Sequence, residues 1–202
     1  MRKKLIVFGS ILLISSTVLF VVLLTFMIMK SRNAPSRGAV VRAIQELSRL
    51  ETASFTVDTI IDKGNRDNVI QEFLFGDSII LIARGEVIAG FDLSKVTEDD
   101  IEVNNTEITV KLPPPMILTS RLDNEATRVY DRKKGIFTSG QKDLESQVRT
   151  EADAQIVQEA CASGILESAS TNATQQITMV LNALGFEKVS VTIPHGNCPL
   201  SP

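Results

Sequence analysis

Leu5 to Met29 reads LIVFGSILLISSTVLFVVLLTFMIM, 25 residues without a charged side chain. No other stretch limits the fold so strongly. As a helix the run is roughly 37 Å long at ~1.5 Å per residue, enough to cross a hydrocarbon core of about 30 Å with some tilt. Seventeen of its residues are Leu, Ile, Val or Phe. At about −0.3 to −0.6 kcal/mol each, they favour insertion by on the order of 5 to 10 kcal/mol. Ser10, Ser15, Ser16, Thr17 and Thr25 offset part of this. A buried core helix of this length with no polar face does not suit so small a protein. A cleaved signal peptide has a shorter apolar segment, ~7–15 residues, ending in small side chains. This run ends in Phe26-Met27-Ile28-Met29-Lys30. The expectation is an uncleaved transmembrane helix over residues 5–29, with residues 1–4 as a cytoplasmic tail and 30–38 as a linker.

The flanking charges give little bias. Arg2, Lys3 and Lys4 precede the span, and Lys30, Arg32, Arg37 and Arg42 follow it. The very short N-terminal tail fits a signal-anchor whose start stays inside, which places the soluble part outside the cytoplasm. Residues 1–32 carry five Lys or Arg and no Asp or Glu, leaving 16 basic against 24 acidic residues beyond them. An acidic domain without a basic run is a poor nucleic-acid binder. Arg132-Lys133-Lys134 beside Gly135 is expected to be an exposed turn. The two cysteines, Cys161 and Cys198, are too few for a zinc site. They form one disulfide if the domain is extracytoplasmic. Alternatively Cys161, on the apolar face of a predicted helix, is a buried free thiol.

The remaining pattern predicts one α+β domain over 39–194 and a flexible tail over 195–202. Val40, Ala43, Ile44, Leu47 and Leu50 recur at helical spacing, which predicts a short amphipathic helix from about Ser36 to Leu47. SFTVDTIID alternates as a half-buried strand, with Phe55, Val57 and Ile61 inward. Ile79 to Ala83 is a buried strand interrupted at Gly85, where a bulge or close backbone approach is expected. IEVNNTEITVKL reads as a hairpin turning at Asn104-Asn105 and stopped by Pro113-Pro114-Pro115. Met116–Leu122 and Thr127–Tyr130 are short extended segments. Two helical stripes follow, Leu144 to Cys161 and Leu166 to Leu184, the second capped by Gly185. KVSVTI is a closing strand on a mainly antiparallel sheet.

Several stretches together, LETASFTVDTIID, LIARGEVIAGFDLSKV, ITVKLPPPMIL, RLDNEATRVYD and ACASGILESASTNATQQITMVLNALGFEKVSV, resemble the bacterial domain-of-unknown-function family number 4230. The resemblance runs from about Leu50 to Ile193. It implies an N-terminal membrane anchor and one α/β-type domain. It supplies no catalytic residue and no cofactor.

LIARGEVIAGFDLSKV places Arg84, Glu86, Asp92 and Lys95 within an apolar strand. With Arg121, Asp123, Arg128 and Asp131 they are the candidate surface. A carboxylate pair such as Glu86 and Asp92 serves acid–base chemistry only if it converges in one pocket. No G-x-S-x-G, P-loop or dinucleotide fingerprint is present, and the sole histidine, His195, lies beyond the last strand. The bland reading has Asp92 and Ser94 holding a turn, with Arg121–Asp123 and Arg128–Asp131 as ion pairs. The alanines Ala152, Ala154, Ala160, Ala162, Ala169 and Ala173 suit close helix–sheet packing or, alternatively, a self-association face. The expected protein is a membrane-anchored binding or assembly module, joined to an unknown protein partner or to itself, without cofactor or metal. The alternative is an envelope hydrolase or transferase using the charged cluster at 84–131. A third reading, a lipid or small-ligand binder, requires an apolar cavity.

Overall fold

The computed structural model describes residues 15–25, 35–64, 73–138 and 140–199. Of the expected span at 5–29, residues 15–25 are helical, and the rest lies outside the described residues. Among the described residues no helix is long and apolar enough to cross a membrane.

A short helix, α1 (Arg37–Gln45), buries Val40, Val41 and Ile44. Two 16-residue strands follow, β1 (Arg49–Gly64) and β2 (Asp77–Asp92), paired antiparallel over nearly their whole length. Odd-numbered positions of β2 from Ile79 to Phe91 are buried, and the even positions between Ser78 and Ile88 face away. This is the alternation a sheet covered on one side requires. The cover is two 19-residue helices, α2 (Leu144–Ala162) and α3 (Ile165–Ala183), which pack across β1 and β2. Leu144, Val148, Ala152, Ile156 and Ala160 recur every four residues along α2, and Ala169, Ala173, Ile177 and Leu181 do so along α3. All nine are buried, so the small residues bring helix close to sheet.

Gly164, at φ 81°, turns the chain between the two helices. Gly185, at φ 101°, ends α3 in a Schellman arrangement. There Phe186 N–H donates to Leu181 O at 3.2 Å and Gly185 N–H to Asn182 O at 3.0 Å.

Strands β5 (Met116–Leu122) and β6 (Arg128–Lys134) both pair antiparallel with the other edge of β2, one after the other. β5 takes Gly85–Gly90 and β6 takes Asp77–Ile82. They act as one long strand broken by the turn at 123–127. The basic run Arg132-Lys133-Lys134 is therefore strand, not the expected exposed turn. β3 (Ile101–Asn104), β4 (Glu107–Lys111) and β7 (Lys188–Thr192) form a separate three-stranded sheet. The closing strand β7 does not complete the large sheet; it lies parallel to β4. The hairpin turn falls one residue later than expected, at Asn105-Thr106, because Asn104 still pairs with Glu107. Asn105 takes the left-handed conformation, φ 53°.

Gly85 does not mark a bulge. The β1–β2 register runs through it unbroken, opposite Val57. It is the other alternative, a close approach: a Cβ there would sit 2.9 Å from Ile156 Cδ1 and 3.0 Å from Arg121 O. The irregularities lie at Glu51/Ala53 in β1, at Ile88/Ala89 opposite β5 and at Ile80/Leu81 opposite β6.

Beyond β7, Cys198 is disulfide-bonded to Cys161 near the end of α2, with Cα atoms 6.2 Å apart. Gln158 Nε2 also donates to Pro199 O at 2.8 Å. Residues 195–199, expected as a flexible tail, are thus tied to the helical layer; 200–202 lie outside the described residues.

Candidate functional site

The face of the large sheet that the helices leave uncovered carries the candidate charges. Strand alternation puts Arg84 and Glu86 there together. Register supplies their partners: Asp58 of β1 lies opposite Arg84, and Arg121 of β5 lies opposite Glu86. Arg84 Nε and Nη2 donate to Asp58 at 2.6 and 2.9 Å. Arg121 Nε donates to Glu86 Oε2 at 3.0 Å, and Ser54 Oγ donates to Glu86 Oε1 at 2.9 Å. Both pairs are solvent-accessible and contribute little to stability. Asp58, Ile60, Ile82, Arg84, Ala126 and Arg128 help line a shallow cleft of about 500 Å³ beside the first pair.

These contacts fix protonation. Hydrogen bonding from Arg121, then from Ser54, then the Arg121 charge hold the Glu86 carboxyl below its usual range. The Arg84 hydrogen bond, with its charge, does the same for Asp58 against a weaker desolvation effect. Asp58 in turn raises the Arg84 guanidinium. A general acid at neutral pH needs the opposite shift. Each carboxylate here is ionised and already occupied by a guanidinium.

Asp92 and Lys95 stand elsewhere. Asp92 is six residues along β2 from Glu86, about 20 Å at ~3.3 Å per residue. It accepts from Ser94 N–H at 3.3 Å and from Ser94 Oγ, and it pairs with Lys95 at 3.2 Å. These bonds, Ser94 first, lower its carboxyl. The capped turn is as expected; convergence of Glu86 with Asp92 in one pocket is not formed.

The expected pairs Arg121–Asp123 and Arg128–Asp131 are replaced by others. Asp123 Oδ1 accepts from Glu125 N–H at 2.9 Å and Ala126 N–H at 3.1 Å, holding the turn between β5 and β6. That turn is clamped to the backbone of Arg84: Asp123 N–H donates to Arg84 O at 2.8 Å, and Thr127 Oγ1 to the same oxygen at 3.2 Å. Asp131 pairs loosely with Lys133 at 3.8 Å. Arg128 lies exposed opposite Ile82. Among the described residues no group of His, Cys, Asp and Glu is placed to hold a metal ion.

Sequence reasoning passed over Asp58, visible only as a polar position of an alternating strand, and Asp77. The Asp77 side chain is 4 % exposed. It accepts from Arg132 Nε and Nη2 at 3.3 and 3.0 Å and from Gln141 N–H at 2.7 Å. The Arg132 hydrogen bond is the main cause of its lowered carboxyl. Asp77→Ala strands these donors and is expected to destabilise the domain by about 2–3 kcal/mol in urea unfolding at pH 7. A carboxyl lowered on folding contributes stability that is full above its unfolded value near ~3.9 and lost as pH falls through the folded value. The stability gap between wild type and Asp77→Asn should therefore hold at neutral pH and shrink below about pH 4. A gap unchanged down to pH 2 would mean that charge is not what Asp77 contributes.

The family described as "Protein of unknown function (DUF4230)" matches residues 42–191, well over half of the 202. The comparisons with curated proteins and with solved structures return no match. This chain, with its long β1–β2 ribbon covered on one face by two small-residue helices, belongs to the DUF4230 family.

Proposed function

We propose that the chain is a single-pass membrane protein whose α+β domain lies outside the cytoplasm and serves as a binding or assembly module. The observation that carries this reading is the Cys161–Cys198 disulfide. Structural disulfides persist in oxidising compartments and are rare in the cytosol. The uncharged run from Leu5 to Met29 supplies the anchor. A module without chemistry of its own is supported by carboxylates that are paired and ionised, and by the separation of Glu86 from Asp92 that the hydrolase or transferase reading required to be absent.

Topology is the test. Cells expressing the full chain, stripped of any outer layer, are treated with a membrane-impermeant maleimide, with and without an impermeant reductant. Labelling of Cys161 and Cys198 is expected in intact cells only after reduction. Thiols that label without reductant, and only after lysis, place the domain in the cytoplasm and end this reading.

A further inference from the structure

At the far end of the β1–β2 ribbon from α1, two chain segments lie side by side. Gly135 N–H donates to Gly76 O at 2.6 Å, Ile136 N–H to Phe73 O at 3.2 Å and Phe137 N–H to Leu74 O at 2.8 Å. Gly135 permits this approach, since a Cβ there would lie 2.6 Å from Phe75 N and 2.7 Å from Leu74 O. The result is a backbone-braced tip that holds four large apolar side chains in water: Phe73 is 65 % exposed, Phe75 59 %, Ile136 64 % and Phe137 69 %. The Phe75 and Phe137 rings face one another, 6.0 Å between centroids. Exposed apolar residues elsewhere, such as Ile60, Met116 and Met179, stand on other elements. Scattered apolar residues need no explanation, whereas a contiguous cluster marks an interaction site.

We infer that this tip is a self-association surface, where Phe73, Phe75, Ile136 and Phe137 of one copy pack on the same four residues of a second copy about a two-fold axis. A second copy is selected on four grounds. The four side chains carry no charge, and the ion pairs behind them, Arg132 with Asp77 and Lys133 with Asp131, are internally compensated. Among the described residues Lys134 adds one further cation, acting on Asp77, too little to select a partner of opposite charge, while an apolar patch complements its own copy. Area agrees: at roughly 200 Å² per ring and nearly two-thirds exposure, the patch offers about 500 Å² per copy, or ~1,000 Å² for a pair, the lower bound of a specific interface. Such an interface is weak in free solution, but two copies held in one bilayer meet at a much higher effective concentration. The braced backbone also leaves little to be ordered on contact. The gain from sharing one bilayer rests on the membrane-anchored reading above.

The test uses the full chain in liposomes, with copies per complex counted by single-molecule photobleaching over a range of protein-to-lipid ratios. A density-dependent dimer is expected. Phe73→Ser/Phe137→Ser should raise the density at half-dimerisation at least tenfold with an unchanged melting temperature, and Met179→Ser should leave it unchanged. Monomers at every density overturn the proposal, as do dimers indifferent to the double substitution or equally weakened by Met179→Ser. A fluorophore on Ile136→Cys that reports burial in lipid assigns the tip to the bilayer and also overturns it. A chain that fails to enter liposomes sinks the anchored reading instead, and sedimentation of the same variants then decides the tip by the same criteria.

Discussion

Replacing Gly90 with alanine is expected to cost the domain at least about 3 kcal/mol, a large share of the ~5–15 kcal/mol margin of a typical fold. The added methyl would sit 2.0 Å from Leu50 O, 2.9 Å from Leu50 C and 2.8 Å from Leu118 Cδ1. Overpacking usually costs about 1–3 kcal/mol because side chains at the contact can turn away. Here the main obstacle is a carbonyl, and the start of β1 is held on several sides. Leu93 N–H donates to Ser48 O at 2.8 Å, the Arg49 guanidinium donates to Leu118 O, and Asn172 Nδ2 donates to Thr52 O at 2.7 Å. Retreat of Leu50 would disturb all three. The two bulges nearest Gly90, at Glu51/Ala53 and Ile88/Ala89, show how tightly the three strands are fitted there. Gly85→Ala provides the contrast. Its closest neighbour is the side-chain terminus Cδ1 of Ile156 at 2.9 Å, with Arg121 O at 3.0 Å, so a loss of about 1–2 kcal/mol is expected. Urea unfolding of both variants beside wild type settles the order. A Gly90→Ala protein within 1 kcal/mol of wild type would mean that β1 does not close on β2 at this point.

What the sequence made legible was local. The stripes from Leu144 to Ala160 and from Ala169 to Leu181 announce two helices, because a helix repeats its burial every turn whatever it packs against. Gly164 and Gly185 end those stripes for conformational reasons that also act locally. The capped turn at Asp92-Ser94 is equally short-range. The candidate site is different in kind. Arg84 and Glu86 share a face by simple alternation, but their partners are 26 and 35 residues away, and Arg132 finds Asp77 across 55. Nothing in a strand's own residues sets which position of another strand it faces. A neighbouring opposite charge, such as Asp123 beside Arg121, is then the tempting and wrong partner. The same limit hid the parallel pairing of β4 with β7 and the end-to-end placement of β5 and β6 along β2. Gly85 was open to two readings, and only its unbroken pairing with Val57 and the approach of Ile156 and Arg121 O decide between bulge and close approach.

Loss of the Cys161–Cys198 bond is expected to lower stability by about 2–4 kcal/mol and the melting temperature by roughly 6–12 °C. The crosslink joins residues 37 apart in sequence, and the loop-closure entropy it removes from the unfolded chain corresponds to about 4 kcal/mol. The full amount is not expected to appear, because little else holds the strap it secures. Gly196 packs against Pro115 and Leu166, Cys198 is only partly buried against the core, and Gln158 donates to Pro199 O. Once cut, residues 193–199 should open locally before α3 and β7 unfold, since those remain fixed by Phe186, Leu181 and the β4–β7 ladder. Cys161→Ala/Cys198→Ala and the reduced wild type should therefore melt alike, both below the oxidised protein. Both should be clipped by protease within the strap while α2 and α3 stay intact. Equal melting temperatures with and without the bond would show that the strap contacts suffice without it. Cleavage appearing first inside α3 would show that the bond holds the helical layer itself. Either result would alter how much the disulfide contributes to the domain.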